Sequence, residues 1–157
     1  REASARFNAW RMDVVEVSYH SQTFDKFFGP VEQKLPGFTA TLLADFARYQ
    51  QSEGQELPDY FGFDAPYGSP PEIAGCLEHI HICLPPRRFS PKRKQFERKC
   101  RRGKPEDDIA LVYARGRFEP HRFVILGILW PDAHKQSRDF GLMRELGRLG
   151  REFRNDN

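Results

Sequence analysis

Three of the chain's five histidines stand where they can share work. Histidine exchanges protons near neutral pH because its unperturbed pKa is about 6.5. His79 and His81 lie two apart in Glu78 to Leu84 (EHIHICL), where apolar and other residues alternate. As a strand, that stretch sets both imidazoles on one face about 6.6 Å apart along the chain. His134 falls in Ala133 to Asp139 (AHKQSRD), beside Lys135 and Arg138. If the strand holding His79 neighbours the one that ends before His134, all three rings face one cleft. The chemistry such a set can perform is metal-free cleavage of RNA. A base takes the proton of the 2′-hydroxyl, an acid protonates the leaving 5′-oxygen, and cations stabilise charge on the phosphate. The same residues have plainer uses. A strand histidine can be a hydrogen-bonded scaffold residue, and His-x-His-x-Cys can hold zinc, although no Cys-x-x-Cys or His-Glu-x-x-His accompanies it. His20 and His121 have no supporting cluster and read as surface residues.

The cations are concentrated. Residues 87 to 104 (RRFSPKRKQFERKCRRGK) carry ten Lys or Arg and one acid, Glu97, a local balance of +9. The remainder holds 15 basic and 21 acidic residues, a balance of −6 against an overall +3. A patch of this density on an otherwise acidic chain is the footprint of a polyanion-binding surface, with Arg93 and Lys94 at its centre. The alternative is a solvated loop without a partner.

The elements that would position these groups can be read from periodicity. Met12 to Tyr19 alternates as a strand. Gly29, Pro30 and Pro36 are expected to break any long helix before Gly37. Phe38, Leu42, Phe46 and Tyr49 form one face of a helix from Phe38 to Gln51. Leu57 to Pro71 reads as a structured, proline-rich loop. Ile109 to Ala114 and Arg122 to Trp130 follow as strands joined by a hairpin connection, the second apolar on both faces. A final helix from about Ser137 to Phe153 buries Leu142, Leu146, Leu149 and Phe153, with Ser137 able to cap it. Its neighbouring Arg144, Arg148 and Arg151 offer either a solvated face or a grip on RNA. Strands in sequence with helices against them make an α+β domain built on a small antiparallel sheet.

Composition bounds the rest. At 157 residues, 39% hydrophobic and 30% charged, with 14 Phe, the chain can fill a core without staples. The longest apolar run, Phe123 to Trp130, is far below the roughly 20 residues of a membrane-spanning helix. Three cysteines without a close pair, and no signal-peptide pattern, suit a reducing cytoplasm. Gly-rich phosphate loops, the Gly-x-Ser-x-Gly elbow and dinucleotide fingerprints are missing.

Five short motifs then occur in a recognisable order: LPDYFGFDAPY (Leu57 to Tyr67), HIHI (His79 to Ile82), QFER (Gln95 to Arg98), ALVY (Ala110 to Tyr113), and the run from Val124 through ILW to HKQSRD (His134 to Asp139). In this order the chain resembles the YafO-family toxins from about Phe38 to Arg154. The resemblance implies a ribosome-dependent mRNA endonuclease, a type II toxin held inactive by a cognate antitoxin. It also implies the RelE-like microbial ribonuclease architecture. Carried onto matching positions, it gives His79, His81 and His134 as catalytic candidates, and Lys135, Arg138 and Arg98 as phosphate contacts beside Arg93 and Lys94. No metal or other cofactor is expected. The partners would be the antitoxin, mRNA and ribosomal RNA, with no membrane. Residues 1–11 are read as a loose segment and 12–157 as one toxin domain. The competing reading is a toxin-like module that blocks the ribosome by binding RNA without cutting it.

Overall fold

The computed structural model describes residues 13–101 and 103–157. The loose leading segment expected over residues 1–11, and Met12, lie outside the described residues. Five strands form one sheet: β1 (Glu16–Tyr19), β2 (Phe61–Pro66), β3 (Glu78–Ile82), β4 (Ala110–Arg115) and β5 (Arg122–Leu129). They lie in the order β1-β5-β4-β3-β2. Helices α1 (Phe24–Lys34) and α2 (Phe38–Gln51) follow β1, while the short α3 (Ala133–Gln136) and the long α4 (Phe140–Asp156) follow β5.

The α+β class is as read from the sequence, but the sheet is mixed rather than antiparallel. From β2 to β5 each strand is antiparallel to the next, whereas β1 runs parallel to β5, with Glu16 opposite Arg122 and Tyr19 opposite Ile125. A parallel pair cannot be closed by a hairpin and needs a crossover. Here α1 and α2 carry the chain away from β1 across one face.

Two elements differ from the expected pattern. Helix α1 continues through Gly29 and Pro30. An interior proline costs about 3 kcal/mol of helix propensity, but Phe28 and Val31 are buried under the sheet, where tertiary packing outweighs it. Strand β2 lies within the stretch read as a loop and forms an edge of the sheet.

The two faces have separate cores. On one, Phe28, Leu42 and Phe46 pack against Ile80, Leu111 and Ile125. On the other, Met143, Leu146 and Leu149 of α4 meet Val112 and Leu126. Helix α4 begins at Phe140, and its cap is Asp139 rather than Ser137: Asp139 Oδ1 accepts from the Leu142 N–H at 3.1 Å. Its glycines permit close seating, since a Cβ at Gly150 would lie 2.7 Å from the carbonyl oxygen of Cys76. Helix α4 packs on β4 and β5, and the histidines of β3 share that face beside it.

Candidate functional site

Pairing in β3 fixes which side chains share a face. Ile80 and Ile82 are fully buried in the core under α1 and α2. His79 and His81 therefore project to the opposite face, opposite Val112 and Ala110 of β4. Their ring centroids are 5.5 Å apart, and His81 lies 5.7 Å from His134 with the rings nearly perpendicular. The convergence expected of three imidazoles is present. Tyr67 stacks on His79 at 3.9 Å, and Phe63 meets His81 edge-on at 5.7 Å. Tyr67, the three histidines, Asp108 and Ser137 line a small depression of about 30 Å³.

Burial sorts the three rings. Desolvation pushes His79 down to about 4, against an ordinary 6.5. It does the same to His81, with the neighbouring His79 and His134 adding to the effect. Both are neutral at pH 7. His81 is 8% exposed, while the His134 side chain is 25% exposed. Burial also raises the Tyr67 hydroxyl above its ordinary range, which keeps it a donor.

His134 is delivered by the end of β5. After Trp130 and Pro131, Asp132 takes a positive φ of 57° and turns the chain into α3. The Asp132 N–H donates to the Pro105 carbonyl at 2.8 Å, and the Ala133 N–H to that of Asp108 at 3.0 Å. The Asp108 side chain, 1% exposed, then holds His134 twice. One oxygen accepts from the His134 backbone N–H at 2.9 Å, and the other lies 2.7 Å from Nδ1 of the imidazole. A buried carboxylate engaged at both oxygens by one histidine is an arrangement for proton exchange at the ring's free nitrogen. Lys135 and Arg138 are exposed on and just after the same short helix.

The basic segment is built against the sheet. Arg98 is buried, its guanidinium donating to the Arg93 carbonyl at 3.1 Å and the Phe61 carbonyl at 3.2 Å. The Phe63 N–H donates back to the Arg98 carbonyl at 2.8 Å, closing the edge of β2. Gly62 allows this approach, since a Cβ there would collide with that carbonyl and with the Phe89 ring. Beyond this anchor, Arg87, Arg88, Arg93, Lys99, Arg101 and Lys104 line a concavity of about 360 Å³. Lys94 is exposed beside them. Concavity and depression share a wall, because Cys100 lines the first and its backbone N–H donates to Nδ1 of His81 at 2.9 Å.

Of the residues named from the sequence, His79, His81 and His134 come together, whereas Lys135 and Arg138 are exposed nearby in sequence and do not line the depression. Arg93 faces the concavity. Arg98 does not face solvent, and its donors serve backbone carbonyls instead of a phosphate. The arginine face of α4 is matched by acids: Arg148 pairs with Glu145 at 2.6 Å and Glu152 at 2.7 Å, and Arg144 with Glu72 at 3.5 Å. Asp108 and Tyr67 were missed as site residues. The acidic pair Asp107–Asp108 before an apolar strand was visible, but such a pair usually marks no more than a strand boundary.

A small α+β sheet with a histidine–carboxylate pair beside a cationic hollow defines a protein that handles polyanions. The family described as toxin YafO of type II toxin–antitoxin systems matches residues 47–155. A relative from Escherichia coli (strain K12), the mRNA interferase toxin YafO, is 33% identical over 117 residues, covering 72% of this chain and 83% of the relative. The chain belongs to the YafO family of type II toxins. No solved structure matches it. A toxin of this type has a cognate antitoxin as partner. Among the described residues no helix is long and apolar enough to cross a membrane.

Proposed function

We propose that this protein is an endoribonuclease that cleaves mRNA at the ribosome, with His134 as the group that exchanges the proton. The observation that carries this reading is the pairing of a partly exposed His134 with the buried Asp108, next to a concavity lined by six cations. The 2′-hydroxyl proton passes to His134, the 2′-oxygen bonds to phosphorus, and the bond from phosphorus to the 5′-oxygen breaks. The departing oxygen takes a proton from water, and His134 returns its own to solvent. The products are a 2′,3′-cyclic phosphate and a 5′-hydroxyl. Lys135 and Arg138, exposed on and just after α3, neutralise the scissile phosphate, while Arg93 and Lys94 hold neighbouring phosphates of the strand. Arg98 serves by fixing the segment that carries them. His79 and His81, neutral and largely enclosed, assist without supplying an acidic proton.

The same reading extends to architecture. The antiparallel run β2 to β5, with a helix after the last strand, fits the RelE-like microbial ribonucleases. Superposing an experimental structure on members of that group tests it. The functional test is induction of His134→Ala beside the unaltered protein, with transcript ends sequenced. Loss of new ends with retained folding supports the reading, and undiminished cleavage rejects it. A second reading, in which the chain blocks the ribosome by binding alone, is favoured by the size of the cationic concavity against the small depression. It predicts growth arrest with intact mRNA and full toxicity of His134→Ala.

A further inference from the structure

A neutral imidazole donates from one nitrogen and accepts at the other, and the neighbour of one nitrogen decides which proton site is filled. His81 and His134 each have such a neighbour, and the two neighbours are opposite in kind. Nδ1 of His134 lies 2.7 Å from a carboxylate oxygen of Asp108. An ionised carboxylate only accepts, so Nδ1 bears the hydrogen and the lone pair sits on Nε2. Nδ1 of His81 lies 2.9 Å from the backbone N–H of Cys100. A backbone N–H only donates, so here Nδ1 accepts and Nε2 bears the hydrogen.

Resting on the reading of His134 given above, we propose that the site divides its work by tautomer. His134, positioned by Asp108, accepts the proton at Nε2, and His81, fixed by Cys100, remains neutral and donates Nε2–H to a non-bridging phosphate oxygen. Three further observations support the division. Burial takes His81 down to about 4, which keeps the ring neutral at pH 7 with a single hydrogen to donate. His81 and His134 line the same depression, their ring centroids 5.7 Å apart. The Cys100 backbone is itself pinned, its Sγ lying 3.6 Å and 3.5 Å from the carbonyl oxygens of Ile82 and Ile109. Cys100 is thus a positioning residue through its backbone, and its thiol keeps that backbone in place.

The experiment reads tautomers directly, through long-range proton–nitrogen NMR spectra of the imidazole-labelled full chain at pH 7.5. His134 is expected with hydrogen on Nδ1 and His81 with hydrogen on Nε2. The same tautomer on both rings overturns the proposal. Kinetics on ribosome-bound mRNA give the second arm. Asp108→Asn should lower kcat by about 10²- to 10⁴-fold with little change in KM, because the ring loses its required tautomer. His81→Phe should lower kcat by about 10²-fold, the usual loss for one transition-state donor. His81→Gln, whose amide can donate from a similar place, should recover most of that loss. If His81→Gln is as impaired as His81→Phe while His134→Ala is inactive, the donor role fails and the proposed function stands. If His134→Ala still cleaves, both fail.

Discussion

On the sheet face covered by α2, the partly buried carboxylate of Asp64 accepts from the hydroxyls of Tyr49 and Tyr113, each at 2.7 Å. On the face beside α4, the buried carboxylate of Asp108 accepts from His134. The two acids are alike in chemistry and differ in what holds them. Burial raises both tyrosines above their ordinary range, with the Asp64 charge adding to it, so their protons stay where they are. Gln95, which donates to Tyr49 at 2.7 Å and to the Gly62 carbonyl at 3.1 Å, ties that group to the basic segment. His134, by contrast, is a quarter exposed. One carboxylate thus fixes two hydroxyls inside the fold, while the other orients a ring that reaches solvent.

This contrast is open to direct test. Asp108→Ala should lower mRNA cleavage by about 10²-fold or more while most of the chain stays folded by circular dichroism; near-normal cleavage would erase the distinction between the two acids. Asp64→Ala should do the reverse. It leaves two enclosed hydroxyls without their acceptor, at a cost of roughly 3 kcal/mol in urea unfolding, with cleavage per folded molecule unchanged.

The histidines add a pH-dependent contrast. Because His81 sits at about 4 in the fold against 6.5 outside it, the unfolded chain binds more protons between those values. Its contribution is present above about pH 6.5 and is lost as pH falls toward 4, by up to about 3 kcal/mol. Urea midpoints measured across that window should fall more steeply for the unaltered protein than for His81→Gln, and equal slopes would show that His81 is not desolvated. Smaller effects are expected elsewhere. Tyr113→Phe should cost about 1 kcal/mol, since Asp64 keeps its bond to Tyr49. Arg93→Gln with Lys104→Gln should reduce the salt slope of RNA binding by about one per cation that contacts a phosphate, without changing the tautomer of His134.

How much of this could be read beforehand depended on the kind of signal. Strands β3, β4 and β5 and helices α2 and α4 announce themselves by periodicity, and the one-face placement of His79 and His81 follows from it. Strand β2 does not, because Gly62 and Pro66 weaken its pattern and an edge strand is free to carry both. Helix α1 hides behind Pro30, since its stability comes from the burial of Phe28 and Val31 rather than from propensity. Parallel pairing of β1 with β5 is a long-range event that no local motif records. Within the site, imidazole convergence was legible but the partners of each ring were not. Asp108 lies 26 residues from His134 and Cys100 19 from His81. The inward turn of Arg98 was likewise invisible, because a buried arginine and a phosphate-binding one look the same in a run of cations.

That inward turn has a further consequence. With Arg98 clamped to Phe61 and Arg93, and Phe63 clamped to Arg98, the described backbone around this anchor is fixed by the fold itself. Ordering a free loop on binding is a large opposing entropy, roughly 0.5 to 1.5 kcal/mol for each immobilised long side chain. The backbone share of such a loss has already occurred during folding, while the exposed cations keep their rotamer freedom. The mutual repulsion of the cations is met then as well, part of it offset by the pairing of Arg87 with Asp107 and of Arg88 with Asp59.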